Sequence, residues 1–191
     1  MGSDITLFVG GASSGKSRLA EACAERLASS RLYIATMRPM DAEAELRVAR
    51  HRARRGAGWQ TVEAGAQLRA SLEACPEAGV LLLDSLGSWI SGMLCQVYAP
   101  DKDIQDSFPA SPAQLDQCEE DVQQELEAFF AALPALTRPL VVVSEEAGLG
   151  LVPADPLSRR FRDILGRSNQ RLAACANRVQ LVSCGLALRL K

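Results

Sequence analysis

Nowhere in the 191 residues does an apolar run approach the ~20 residues that a membrane-crossing helix requires, so a helical membrane protein is excluded and no stable membrane insertion is expected. No C-x-x-C pair occurs among the six cysteines, Cys23, Cys75, Cys95, Cys118, Cys175 and Cys184. The N-terminal residues also lack a basic region followed by an apolar core, the pattern of a secretory signal. These absences predict buried, reduced thiols in a cytoplasmic protein. The net charge is −2, with no long block of one sign, which argues against a general nucleic-acid binder and against an acidic tail. There is no internal repeat, and the length fits one domain spanning residues 1–191 with a core of its own.

What is present begins at residue 10. The run Gly10, Gly11, Ala12, Ser13, Ser14, Gly15, Lys16, Ser17 fits G-x-x-x-x-G-K-[ST], and it sits between the apolar stretch Ile5 to Val9 and a helical pattern. Glycines let the backbone curl so that successive N–H groups face phosphate oxygens, and the following helix adds its positive N-terminal end. In that arrangement Lys16 reaches the outer phosphates and the Ser17 hydroxyl serves a Mg²⁺ site. The expected ligand is a nucleoside triphosphate.

Short β-type runs alternate with helical stretches along the chain, the pattern of an α/β protein with a largely parallel central sheet flanked by helices. Strands are expected at Ile5 to Val9, Leu32 to Thr36, Val80 to Leu83, Leu140 to Ser144 and Val179 to Ser183. Each is nearly continuous in apolar residues, as a strand covered on both faces should be. Helices are expected at Lys16 to Ser29, Asp41 to Arg55, Ala66 to Glu73, Leu86 to Gln96, Pro112 to Leu133 and Leu157 to Asn177, with an exposed polar loop from Tyr98 to Ser111.

Two further landmarks carry chemistry. Val80 to Leu83 end in Asp84, a Walker-B-like strand end whose carboxylate can orient Mg²⁺ or its water ligands beside Ser17, from the carboxyl edge of a neighbouring strand. The same acid could instead be an ordinary turn residue. The segment Arg47-Val48-Ala49-Arg50-His51-Arg52-Ala53-Arg54-Arg55-Gly56 surrounds the single histidine of the chain with arginines. Acidic residues opening the helix and basic residues closing it also suit the helix dipole, so a solvated basic face is one reading. On the other, the positive surroundings disfavour imidazolium and keep His51 in its nucleophilic neutral form. Attack on an α-phosphate would then expel pyrophosphate and leave a phosphoramidate, with Arg50 and Arg52 among the groups neutralising phosphate charge.

The P-loop, the strand Tyr33-Ile34-Ala35-Thr36, the Arg50-His51-Arg52 to Trp59 segment and the block Glu146-Ala147-Gly148-Leu149-Gly150-Leu151-Val152-Pro153 occur in a fixed order, followed by Arg160-Phe161-Arg162-Asp163, Gly166-Arg167 and Asn169-Gln170-Arg171-Leu172-Ala173. This ordered set resembles the bifunctional adenosylcobinamide kinase/adenosylcobinamide-phosphate guanylyltransferase family of cobalamin biosynthesis, nearly end to end apart from the Tyr98 to Ser111 loop. The resemblance implies a RecA-like P-loop NTPase fold, a homotrimer, GTP and ATP as substrates with Mg²⁺, and a corrinoid acceptor. It implies phosphorylation of adenosylcobinamide, then transfer of GMP from GTP through a guanylylated His51. Lys16 and Glu146 fall in catalytic positions, Ser17 and Asp84 at the metal, and Arg50, Arg52, Glu63 and Asp84 join the P-loop in the nucleotide site. Two other readings remain: a P-loop small-molecule kinase with a structural His51, and a non-catalytic nucleotide-binding regulatory module.

Ser85, Gly87 and Gly92 stand where Cys, Thr and Asn are common in that family, and Glu145 stands where Asn usually precedes Glu146. A second carboxylate there could repel phosphate or take another cation. Trp89, spaced with Ile90, Met93 and Leu94, reads as packing. Trp59 could stack on a ligand or anchor the strand after the arginine helix. Glu119, Glu120, Asp121, Glu125 and Glu127 read as a solvated helix face.

Overall fold

Four apolar strands side by side form the spine of the protein. In a computed structural model, which describes residues 4–38, 46, 48, 49, 53, 55–95 and 111–191, seven strands form one sheet. They are β1 (Ile5–Gly10), β2 (Arg31–Ala35), β3 (Trp59–Glu63), β4 (Val80–Asp84), β5 (Leu140–Glu145), β6 (Arg178–Ser183) and β7 (Leu186–Arg189). Their order is β3-β2-β4-β5-β1-β6-β7, parallel throughout except for the antiparallel pair β6 and β7. The helices are α1 (Lys16–Leu27), α2 (Leu68–Glu73), α3 (Leu86–Leu94), α4 (Pro112–Ala132) and α5 (Pro156–Cys175). Leu46, Val48, Ala49 and Ala53 also have helical backbone. Arg47, Arg50, His51 and Arg52, and residues 98–110 of the expected loop, lie outside the described residues.

The period-2 geometry of a strand divides the core between the two faces of the sheet. Phe8, Val80, Leu82, Val141 and Val143 pack with Ala20 and Ala24 of α1. Leu7, Leu81, Leu83 and Val142 point the other way, onto Leu68, Trp89, Val122, Phe129 and Leu172 from α2 to α5. Both faces are covered, so the central strands carry no polar alternation. Three helix starts have local causes. Ser85, Ser111 and Asp155 cap α3, α4 and α5 by accepting hydrogen bonds from the N–H groups of Ser88, Gln114 and Ser158. Pro112 and Pro156 occupy the first helical positions of α4 and α5.

The expected strands all form, and the structure adds two. β3 is an edge strand whose Gln60, Thr61 and Glu63 are exposed, which leaves no continuous apolar run to detect. β7 is exposed along its length and closes a hairpin through Cys184 and Gly185, both at positive φ. β5 also lies between β1 and β4, so Asp84 is not on the strand next to the P-loop strand. The thiols depart from expectation too. All six are free, but Cys118 is buried while Cys175 and Cys184 are exposed.

The acidic row on α4 is not simply solvated. Glu119 accepts hydrogen bonds from Arg160 (2.7 Å) and Arg167 (3.4 Å), and Glu127 pairs with Arg171, which joins α4 to α5. Trp59 anchors an edge, with its ring edge-on to Tyr33 at 6.2 Å and its Nε1 donating to Glu25 at 3.3 Å. Among the described residues no helix is long and apolar enough to cross a membrane.

Trp89 is fully buried, and its Nε1 donates to the Gly65 carbonyl at 3.1 Å. Trp89→Ala removes that packing and orphans the carbonyl, so unfolding free energy should fall by about 3–5 kcal/mol, read as a lower urea midpoint at unchanged slope.

Candidate active site at the carboxyl edge of the sheet

The phosphate loop takes the form its residues predict. Gly15 ends it at φ +94°, a conformation that a Cβ would strain, and α1 starts at the next residue. The loop is braced from a direction not visible in sequence. The N–H of Gly185, in the β6–β7 turn, donates to the Ser14 carbonyl at 2.8 Å. Lys16 is buried and lies across its own loop, donating to the Gly11 carbonyl at 3.3 Å, with Glu145 Oε1 3.5 Å from its ammonium.

The structure brings Lys16, Ser17 and Asp84 together. Ser17 Oγ donates to Asp84 Oδ1 at 3.2 Å, although β5 lies between the Asp84 strand and the strand that leads into the P-loop. The other carboxylate oxygen of Asp84 accepts from the Tyr33 hydroxyl at 2.9 Å. Tyr33 is a site residue that pattern reading passed over as part of a strand. Burial, followed by the nearby charge of Asp84, raises the Tyr33 phenol well above its ordinary range. The Arg55 guanidinium lies 3.5 Å over the Tyr33 ring, which packs the end of the arginine segment against the partner of Asp84.

Among the described residues no group of three or more His, Cys, Asp or Glu side chains could hold a metal ion. A cation at this edge would therefore rely on Ser17, Asp84 and the phosphates themselves. That sparse all-oxygen set, one hydroxyl and one carboxylate already in contact, fits Mg²⁺, which keeps most of its water and shares substrate phosphates.

The remaining expected site residues divide. Glu63 ends β3 in register with Ala35, whose other neighbour is Asp84, so it shares the edge but stands outermost on it. Glu146 is bound to the P-loop strand through its backbone, its N–H donating to the Gly10 carbonyl at 3.0 Å. Its Oε1 accepts from the N–H groups of Gly148 and Leu149, so the side chain caps its own loop. Glu145, one residue earlier, is the acid that faces Lys16. Asn169 on α5 fixes this strand end: it accepts from Ser144 Oγ at 2.6 Å and donates to the Glu145 carbonyl at 2.9 Å. Beside it a cleft of about 320 Å³ is lined by Glu146, Gly148, Arg162, Arg167, Asn169 and Gln170, so the two sequence blocks around 146–153 and 160–170 face one cavity. Arg162 Nη2 donates to the Gly148 carbonyl, and Nη1 is buried without a partner.

The buried Tyr33 phenol makes alkaline stability testable. In the unfolded chain it ionises near pH 10, while the folded protein retains the proton. Above that pH the folded state binds more protons than the unfolded state, so stability is complete below about pH 10 and falls as pH rises, by up to about 1.4 kcal/mol per pH unit for this group. Denaturation curves for Tyr33→Phe between pH 9 and 11 should show a shallower decline than those of the unsubstituted protein.

The family model for cobinamide kinase / cobinamide phosphate guanyltransferase matches residues 6–190. The bifunctional adenosylcobalamin biosynthesis protein CobU of Escherichia coli is 38% identical over 190 residues, covering 98% of this chain and 99% of that protein. The corresponding protein CobP of Pseudomonas aeruginosa is 39% identical over 187 residues, covering 97% of this chain and 96% of its own length. Among solved structures, a KaiC-like protein of Pyrococcus horikoshii aligns over 94% of this chain and 71% of its own, at 11% identity and a TM-score of 0.44. On the match along its whole length, the chain belongs to the cobinamide kinase / cobinamide phosphate guanyltransferase family.

Proposed function

We propose that this chain carries out both transfers in sequence and that a covalent GMP on His51 links the second to GTP. In the first transfer the side-chain hydroxyl oxygen of adenosylcobinamide attacks the γ-phosphorus of ATP or GTP. The new O–P bond forms as the bridging P–O bond breaks, the nucleoside diphosphate leaves, and the hydroxyl proton passes to a carboxylate or to water. In the second, an imidazole nitrogen of His51 attacks the α-phosphorus of GTP, pyrophosphate leaves with the broken P–O bond, and a P–N bond remains. A phosphate oxygen of the phosphorylated corrinoid then attacks that phosphorus, breaks the P–N bond, and yields adenosylcobinamide-GDP with His51 free again.

The contact from Ser17 to Asp84 beside the buried Lys16 carries the phosphoryl-transfer half of this reading. Lys16 neutralises the outer phosphates, while Ser17 and Asp84 would hold Mg²⁺, which would offset phosphate charge. The histidine half draws support from Arg55, four residues beyond His51, whose guanidinium packs on the Tyr33 ring while Tyr33 holds Asp84. We assign Arg50, Arg52 and Glu63 to nucleotide contacts, and Glu146 to organising the loop that borders the acceptor cleft. The cleft, with its unpartnered Arg162 nitrogen, suits an acceptor that gains negative charge in the first step. The assembly is a homotrimer in the cytoplasm. Exposed Leu149, Leu151 and Val152, at 88, 96 and 71% accessibility, are an apolar surface that subunit contact would cover.

GTP labelled at the α-phosphate should leave acid-labile, base-stable label on the protein, as a phosphoramidate does and a serine phosphoester does not. His51→Asn should abolish both the label and the GDP product yet retain measurable phosphorylation of adenosylcobinamide. A folded His51→Asn protein that still becomes labelled would sink the covalent mechanism. In a second test, Asp84→Asn should raise the Mg²⁺ concentration for half-maximal kinase rate several-fold, because one negative charge is lost from a hard-cation site. An unchanged metal titration would make Asp84 a structural strand end.

A further inference from the structure

The carboxylate of Glu145 is seated, not loose. Ser85 Oγ lies 2.8 Å from its Oε1 and 3.0 Å from its Oε2, and Ser85 is the N-cap of α3. An ideal Cβ built on Gly87, in the first turn of that helix, would fall 2.1 Å from Glu145 Oε2 and 3.0 Å from its carboxyl carbon. The missing side chain at 87 is therefore the notch that the carboxylate fills. The seat lies at the helix N-terminus, where a negative charge is favoured. From it, Oε1 stands 3.5 Å from the Lys16 ammonium.

The two partners differ in a way that suggests an exchange. The Lys16 side chain is 8% exposed, so water cannot readily replace an ionic partner, whereas the Glu145 side chain is 28% exposed and in contact with solvent. Lys16 is the group that must meet the outer phosphates when a triphosphate enters the loop. A phosphate arriving there competes with Glu145 for one ammonium and meets a like charge at close range.

We propose that Glu145 is a positioning residue for Lys16: it holds the ammonium in the nucleotide-free protein, is displaced as its partner by the outermost phosphate, and so selectively weakens triphosphate binding. This keeps the buried lysine ionically paired in every state and lowers the affinity of the loop for its most charged ligand. The inference rests on the P-loop being the triphosphate site and requires neither the corrinoid nor His51.

The test is equilibrium titration of the purified protein with Mg-ATP and Mg-ADP without acceptor, together with thermal denaturation. Glu145→Gln keeps the side-chain volume in its notch and removes the charge. It should tighten ATP binding by roughly tenfold, the scale for one like charge in a partly solvated site. ADP, which lacks the outermost phosphate, should tighten by about twofold or less. Ser85→Ala, which loosens the seat, should shift ATP affinity the same way by a smaller factor. Gly87→Ala should lower the melting temperature in the presence of Glu145 and much less in a Glu145→Ala background, because the atom it collides with is gone. In kinase assays Glu145→Gln should lower the KM for ATP more than it lowers kcat.

ATP affinity in folded Glu145→Gln that is unchanged or weaker overturns the proposal, as does an equal gain for ADP. A kcat that falls a hundredfold with affinity unchanged also overturns it, since Glu145 would then act on the acceptor. If the unsubstituted protein binds neither nucleotide, the reading of the P-loop itself fails, a result distinct from all of these.

Discussion

The register of the parallel strands is the constraint on which the site depends. Gly10 pairs with Glu145 across β1 and β5, Asp84 with Val143 across β4 and β5, and Ala35 lies between Asp84 and Glu63. Parallel strands all finish at one edge, so the phosphate loop, two acids and the buried Tyr33 are delivered to the same rim. A slip of one residue would turn each of these side chains to the opposite face and break the match between the two halves of the core. The burial of Val80 to Leu83 and Leu140 to Ser144 therefore does more than stabilise the sheet: it fixes where Asp84 and Glu145 end up.

On that rim the polar groups form a chain of dependence. Arg55 packs on Tyr33, Tyr33 holds one oxygen of Asp84, and Ser17 meets the other. Alongside it, Ser85 seats Glu145 and Glu145 faces Lys16, while Thr36 Oγ1 both accepts from the Ser85 N–H and donates to the Ser85 carbonyl. Lys16, Tyr33, Thr36 and Ser85 are buried and Ser17, Arg55, Asp84 and Glu145 partly so, and losing one of these hydrogen bonds deprives a shielded polar group of its partner. The two networks meet at the junction of β4 and α3, where Asp84 and Ser85 are consecutive. Metal binding and lysine positioning are thus tied to one short piece of backbone.

Several residues that looked alike in the sequence play different parts. Glu145 and Glu146 are adjacent acids at a strand end, yet one turns to the lysine and the other caps the following loop. Glu119 and Glu127 share a helix with Glu120 and Asp121, but the first two hold α5 through arginines. Charge and spacing are identical in kind within each set. Only the neighbour across space separates them.

What the sequence by itself determined was local or periodic: the glycine and lysine spacing of the P-loop, the buried strands, and the ordered blocks that mark the family. These features depend on backbone conformation over a few residues or on burial repeated along a strand, both of which leave a direct pattern in residue type. The tertiary structure decided the insertion of β5 between β1 and β4, the edge strands β3 and β7, the Gly185 brace, the Tyr33 contact to Asp84, and the fit of Glu145 into the space at Gly87. Those contacts join residues tens to more than a hundred positions apart. A hydrogen bond or a steric notch of that range depends on which strands become neighbours, and no local pattern of residue types carries that information.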